Sequence, residues 1–146
     1  LGSNSLLEGL VFGKVAGQSA VTLLKEAGSV THHHMKFEVP PSDRSRLDAE
    51  DVRNSLRALM WRNVGITRSE KPLIEAAEII SFWQRYVMDQ VFAAPFGWEC
   101  QNMLTVAGLM AHAANQRKES RGVHYRQDHT ERDDKNHAKH IELKRE

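Results

Sequence analysis

Residues 69–91, SEKPLIEAAEIISFWQRYVMDQV, carry Leu73, Ala76, Ala77, Ile80, Trp83, Val87 and Val91 at spacings of three and four, one apolar stripe closed off before Pro95. A helix with a single apolar face must bury it, and the flanking stretches offer matching faces. Upstream, Val52, Leu56, Leu59 and Met60 recur at helical spacing between Leu47 and about Arg62, ended by Asn63 and Gly65. Downstream, a helix from about Gly97 to Lys118 places Met103, Val106, Ala107, Met110, Ala113 and Ala114 inward. On the same reading Gln101, Thr105, His112 and Asn115 face outward. Short connections favour antiparallel neighbours, so residues 47–118 are expected to form a three-helix bundle.

Ahead of the bundle, Leu6, Leu7, Leu10, Val11, Ala16, Ala20, Val21 and Leu24 predict another helix between Ser3 and Gly28. Ser3, Asn4 and Ser5 are N-cap candidates, Glu8 completes a capping-box pattern with Ser5, and Gly28 is a stop signal. Residues 29–46 hold His32, His33, His34, Pro40, Pro41 and a polar cluster with no apolar period, which reads as a linker. Residues 119–146 form a charged, irregular tail with Tyr125 as its only aromatic, too poor in apolar groups to fold by itself. The fold class is all-α.

Composition narrows the function. The 146 residues are 40% hydrophobic, enough for one modest core, and 20 basic residues against 19 acidic ones leave a net charge of +1. No strong field for nucleic acid or an anionic membrane follows from that balance, and no partner of either kind is expected. Apolar runs such as 104–114 are interrupted well short of the roughly 18 residues of a membrane span. Cys100 is the only cysteine, so an internal disulfide and a multi-cysteine zinc site are excluded and a cytoplasmic location is expected. The sequence starts at Leu1 rather than Met and shows no secretory signal pattern.

Few residues suggest chemistry. Gly9, Gly13 and Gly17 line one side of the first helix, each costing about 1 kcal/mol of propensity relative to Ala. That cost suits either close docking on a backbone or flat ligand, or a poorly formed helix. The small polar residues at the same helix start suit an anion as well as an ordinary cap. His32, His33 and His34 alternate sides in an extended loop and read as solvated. His137 and His140, with Asp133 and Asp134 nearby, would share a helix face, a weak basis for a metal site. Asp133, Asp134 and Glu131 read as surface charges, and Cys100 as a buried structural thiol. With no Gly-x-Gly-x-x-Gly, phosphate loop or Gly-x-Ser-x-Gly present, neither a catalytic residue nor a metal ligand is expected.

Three blocks, LGSNSLLEGLVFG at 1–13, LRALMWRNVGITR at 56–68, and NMLTVA at 102–107 leading to ESRGVHY at 119–125, together resemble the C-terminal part of L-aspartate oxidases. These are flavoenzymes of the succinate dehydrogenase and fumarate reductase flavoprotein superfamily. The first block is shared across the superfamily, whereas the LMWxxVGI form of the second is similar to the aspartate oxidase branch. The resemblance implies that residues 1–28 are the last helix of an FAD-binding domain, residues 29–46 a linker, 47–118 the C-terminal helical domain and 119–146 the tail. It further implies that Ser5 and Leu6 match positions contacting the flavin. The implied reaction is oxidation of L-aspartate to iminoaspartate, the first step of de novo NAD synthesis. FAD takes the hydride, and oxygen or fumarate reoxidises it. Substrate-binding residues of such proteins lie upstream, so the partner implied is a missing flavin domain, and this stretch would be inactive alone. In the tail, Asp128, His129 and Thr130 depart from the pattern, and the continuation from Arg132 to His137 looks closer to succinate dehydrogenase flavoproteins. A piece of such a flavoprotein, working with iron–sulfur and membrane partners, is therefore the alternative, and a non-enzymatic helical interaction module is a third reading. Arg121 is expected to tie down the tail rather than to touch a ligand, and a ligand role for His124 is weak as well.

Overall fold

The computed structural model describes residues 4–27 and 47–143. The chain divides into two compact units, one within residues 1–38 and one within 39–146.

The first unit holds helix α1, Ser5–Ala27. The Asn4 carbonyl accepts the Glu8 N–H at 2.8 Å, so Asn4 stands at the N-cap and Ser5 is already the first helical residue. Glu8 in the first turn and Lys25 in the last complement the helix dipole. No residue of α1 is buried, and a Cβ built on Gly9, Gly13 or Gly17 would meet nothing within 4 Å. Gly28 and the 29–46 segment with its three histidines lie outside the described residues.

The second unit starts with α2, Ala49–Leu59, capped by Asp48, whose Oδ1 accepts from the N–H groups of Glu50 and Asp51 at 2.7 and 3.3 Å. The helix continues directly into a π-helical turn, Met60–Val64. The turn is held by the buried Asn63, which donates to the Pro72 carbonyl at 3.1 Å and to Glu75 at 3.3 Å, and accepts from Arg62 Nε at 2.9 Å. Next come β1, Thr67–Arg68, α3, Glu70–Val87, and α4, Pro95–Gln116, then β2, Tyr125–Arg126, and a single turn α5, Asp134–His137. β1 and β2 pair in parallel, Thr67 with Tyr125 and Arg68 with Arg126, which fastens the tail beside the start of α3.

Val52, Leu56, Leu59, Val64, Leu73, Ala76, Ile80, Val87, Cys100, Leu104, Ala107 and Ala111 make up the core, which lies between α2, α3 and α4. The stripes expected for α2 and most of α3 are the ones buried. Val91 is a correction: α3 stops at Val87, and Val91 is 75% exposed in the following turn. α4 needs a larger correction, because its buried line is Gly97, Cys100, Gln101, Leu104, Ala107 and Ala111. Met103, Ala113 and Ala114 are only partly buried, and Val106 and Met110 are about half exposed. α4 also runs from Pro95 to Gln116 rather than from Gly97 to Lys118, with Pro95 at the position that tolerates a missing N–H. The small residues explain the rotation. A Cβ on Gly108 would be 3.3 Å from Gln84 Nε2 and 3.6 Å from Ile80 of α3, so this face is the one that can approach α3 closely, and at the start of α4 the Phe92 ring of the connection lies where a Cβ on Gly97 would be. Gln101, expected outside, is buried because its Nε2 donates to the Val87 and Gln90 carbonyls at 2.8 and 3.0 Å, closing the end of α3.

Candidate functional site: a charged tail clamp and an apolar groove

The tail, read from the sequence as charged and irregular, is organised around two buried ionic side chains. The Glu119 carboxylate is fully buried and accepts from Arg121 Nε and Nη2 at 2.8 and 3.0 Å, from Arg117 at 2.8 Å and from the Asp133 N–H at 2.8 Å. Arg121 reaches on to Asp134 at 2.7 Å, so it ties down the tail as expected, helped by the turn at Gly122 with φ of 59°. Arg126 is also fully buried. It meets Asp128 with two parallel hydrogen bonds of 2.8 and 2.7 Å and donates through Nη1 to the Ala114 carbonyl at 3.0 Å, at the C-terminal end of α4. The second Asp128 oxygen accepts the Glu70 N–H at 2.7 Å. Ser69 makes no side-chain cap, so a residue from the tail caps α3 instead. The pair thus bridges the negative end of one core helix and the positive end of another.

Hydrogen bonds from Arg121, then from the Asp133 backbone and Arg117, hold the Glu119 carboxyl at about 2 against the opposing effect of burial. Arg126 pulls Asp128 well below the ordinary carboxylate range. Both groups are depressed in the folded state, so their contribution is present above the unfolded values near 4.5 and 3.8 and is lost as pH falls through the folded ones. Acid titration followed by amide exchange is therefore expected to release residues 119–137 between about pH 4 and pH 2. Protection of the tail that does not change as pH falls from about 4.5 through about 2 would contradict the clamp.

The remaining candidates separate. His124 Nε2 lies 3.2 Å from the Arg117 carbonyl; burial, and then the charges of Arg68, Arg126 and Arg117, push its pKa down. His137 ends α5 and His140 lies beyond it, so the two do not share a helix face. Among the described residues no group of three His, Cys, Asp or Glu is placed to hold a metal. Asp133 caps α5 through the Asn136 N–H at 3.0 Å, while Asp134 pairs with Arg121 and Arg132. Cys100 is buried and unpaired, its pKa raised by burial, which leaves an inert thiol.

Met103, Val106 and Met110, read from the sequence as core, instead face Leu56, Met60 and Trp61 across an open apolar groove of about 700 Å³. The signal for it was present in the sequence: α4 has apolar groups on more of its circumference than one neighbour can cover.

At the start of α1, helix geometry leaves the Leu6 and Leu7 N–H groups without intrahelical acceptors, at the positive end of the dipole. Ser5 and Leu6 are exposed in that first turn. Such a terminus fits the electron-rich edge of a flavin, and the open glycine side fits a closely packed surface. A single helix start is not by itself a cradle for a dinucleotide.

Residues 53–146 match the family described as fumarate reductase flavoprotein C-term, and the chain belongs to that family. It is 36% identical over 140 residues to the L-aspartate oxidase of Yersinia pestis, covering 88% of this chain and 25% of that protein. It is 33% identical over 159 residues to the 8-methylmenaquinol:fumarate reductase flavoprotein subunit of Wolinella succinogenes, covering 96% and 26%. A solved chain of the Mycobacterium smegmatis Sdh1 complex in the apo form is similar, with a TM-score of 0.53, 28% identity, and coverage of 81% of this chain and 19% of that one. The chain spans about a quarter of the length of the curated relatives it matches. Members of the family are FAD-binding flavoproteins. No described helix is long and apolar enough to cross a membrane.

Proposed function

We propose that this chain is the C-terminal segment of an FAD-dependent oxidoreductase of the L-aspartate oxidase type, cytoplasmic, oxidising L-aspartate to iminoaspartate with oxygen or fumarate as electron acceptor. The observation that carries this reading is α1. It is a helix with no buried residue, an open glycine side and an N-terminus suited to an electron-rich ring edge, all of which make sense against a flavin domain supplied by a longer polypeptide. The LMWRNVGI stretch at 59–66 and the identity to the Yersinia pestis protein support the aspartate oxidase branch. FAD, when bound, supplies the hydride acceptor. The residues here would orient it: Ser5 and Leu6 would meet its pyrimidine edge, where N–H groups and the helix dipole stabilise negative charge. The resemblance puts the residues that bind the dicarboxylate upstream of this stretch, so the segment alone is expected to be inactive.

The second reading, a fumarate reductase or succinate dehydrogenase flavoprotein, is supported by the tail. There the continuation from Arg132 to His137 looks closer to succinate dehydrogenase flavoproteins, whereas coverage favours neither branch, since a fumarate reductase subunit aligns over 96% of this chain and the Streptomyces coelicolor L-aspartate oxidase over 97%. The two readings differ in substrate. Purifying the whole polypeptide that ends in this sequence and adding L-aspartate without oxygen is expected to bleach the flavin absorbance band. Bleaching by succinate and not by aspartate would give the chain to the second reading.

A further inference from the structure

The apolar groove adjoins a smaller cavity of about 300 Å³, the two sharing Val64, Arg68 and Met110 in their walls. Arg68 stands at the junction. Its Nε donates to the Val64 carbonyl at 2.9 Å, and its Nη1 lies 3.5 Å from the Val123 carbonyl. Among the described residues no carboxylate forms an ion pair with it, and the nearby acids are engaged elsewhere: Glu119 holds Arg117 and Arg121, while Asp128 holds Arg126. Burial and the Arg126 charge already lower the Arg68 pKa, which marks a place short of negative charge. Arg117 and His124 line the smaller cavity beside it, but Arg117 is paired with Glu119 and burial lowers the His124 pKa, which leaves Arg68 as the cation at that end without a carboxylate partner among the described residues.

The apolar stretch is formed by Leu56, Met60 and Trp61 on one side and by Met103 and Val106 on the other, with Arg57 and Asn102 also in its wall. From Asn102 to Met110 the α4 wall runs about 12 Å at 1.5 Å per residue, the reach of an aliphatic chain of about ten carbons. The volume falls within the range of small-molecule sites, in which apolar walls and one or two polar groups fix orientation. We propose that the groove binds a small amphipathic carboxylate, with its apolar body between α2 and α4 and its carboxylate on Arg68. The ligand class follows from charge complementarity, since an uncompensated guanidinium beside an apolar trough selects an anion with a hydrocarbon body over a neutral one. This site is independent of the flavin reading.

The test is titration of decanoate, below its micellar concentration, into the full chain, followed by calorimetry and by the fluorescence of Trp61, which is 75% exposed at the groove edge. Saturable one-to-one binding is expected, at least tenfold tighter than that of decanol and at least tenfold weakened by Arg68→Gln. Because Arg68 also braces the turn at Val64, Val106→Glu at a half-exposed groove position gives a second variant that spares the core, and it is expected to abolish binding. Equal affinity for decanoate and decanol, an unchanged affinity in a folded Arg68→Gln protein, or unsaturable uptake would overturn the proposal. So would binding of a twelve-residue Leu/Glu helical peptide where decanoate does not bind, which would give the groove to a protein segment.

Discussion

Replacing Arg126 by alanine is expected to destabilise the helical unit by about 3 kcal/mol, the scale for breaking a buried, hydrogen-bonded ion pair from one side. For a domain of about 100 residues that is a fall in Tm of roughly 15 °C, readable by calorimetry or by thermal circular dichroism. The size follows from what the guanidinium does. It is fully buried, holds Asp128 by two hydrogen bonds and satisfies the Ala114 carbonyl at the end of α4. Removing it frees Asp128, and with it the cap on the Glu70 N–H. Arg126→Lys is expected to recover little, because a point charge with a rotating donor cannot reproduce the fork. Asp128→Asn should cost less, since that side chain retains 30% of its exposure. A Tm for Arg126→Ala within about 2 °C of the parent would show that the clamp is not what fixes the tail.

Gly65→Ala is the second large effect, expected at about 2–3 kcal/mol. Gly65 follows the π-helical turn with φ of −63° and ψ of −130°, and a Cβ there would run into the Trp61 carbonyl oxygen, a backbone atom that cannot rotate away. Relief requires moving the turn that presents Asn63 to Pro72 and Glu75, so chemical denaturation should show a lower midpoint together with a changed environment for Trp61. Gly13→Ala is the control of opposite sign. Nothing lies within 4 Å of its Cβ, and the substitution is expected to raise the helicity of α1, worth about 1 kcal/mol in propensity. If Gly65→Ala proves as harmless as Gly13→Ala, the π-helical turn does not have the geometry described.

The four long helices and their order were legible because each repeats apolar groups at helical spacing over three or more turns. The resemblance to flavoprotein C-termini was legible because its blocks are contiguous strings. The tail was not. Glu119 and Arg126 look like any other charged residues in a polar stretch, and nothing local shows that each finds enough partners to be buried. Asp128 capping Glu70 is a contact across more than fifty positions. Gln101 belongs to the same class: its burial depends on where the carbonyls at the end of α3 arrive. The Ser5 and Leu6 reading rests on the resemblance, since the same helix start taken alone is an ordinary cap.

The sequence by itself determined that the chain is helical, where its helices run and which family it joins, because periodicity, capping and contiguous motifs are properties of neighbours along the chain. Only the tertiary structure decided which side of α4 is core. Both sides are apolar enough, and the choice went to the one whose Gly108 and alanines allow close approach to α3 and whose Gly97 makes room for Phe92, leaving Met103, Val106 and Met110 to line a groove. It also decided which charges are buried, since burying an ion is tolerable only where several distant donors or acceptors converge on it, and that convergence exists only in three dimensions.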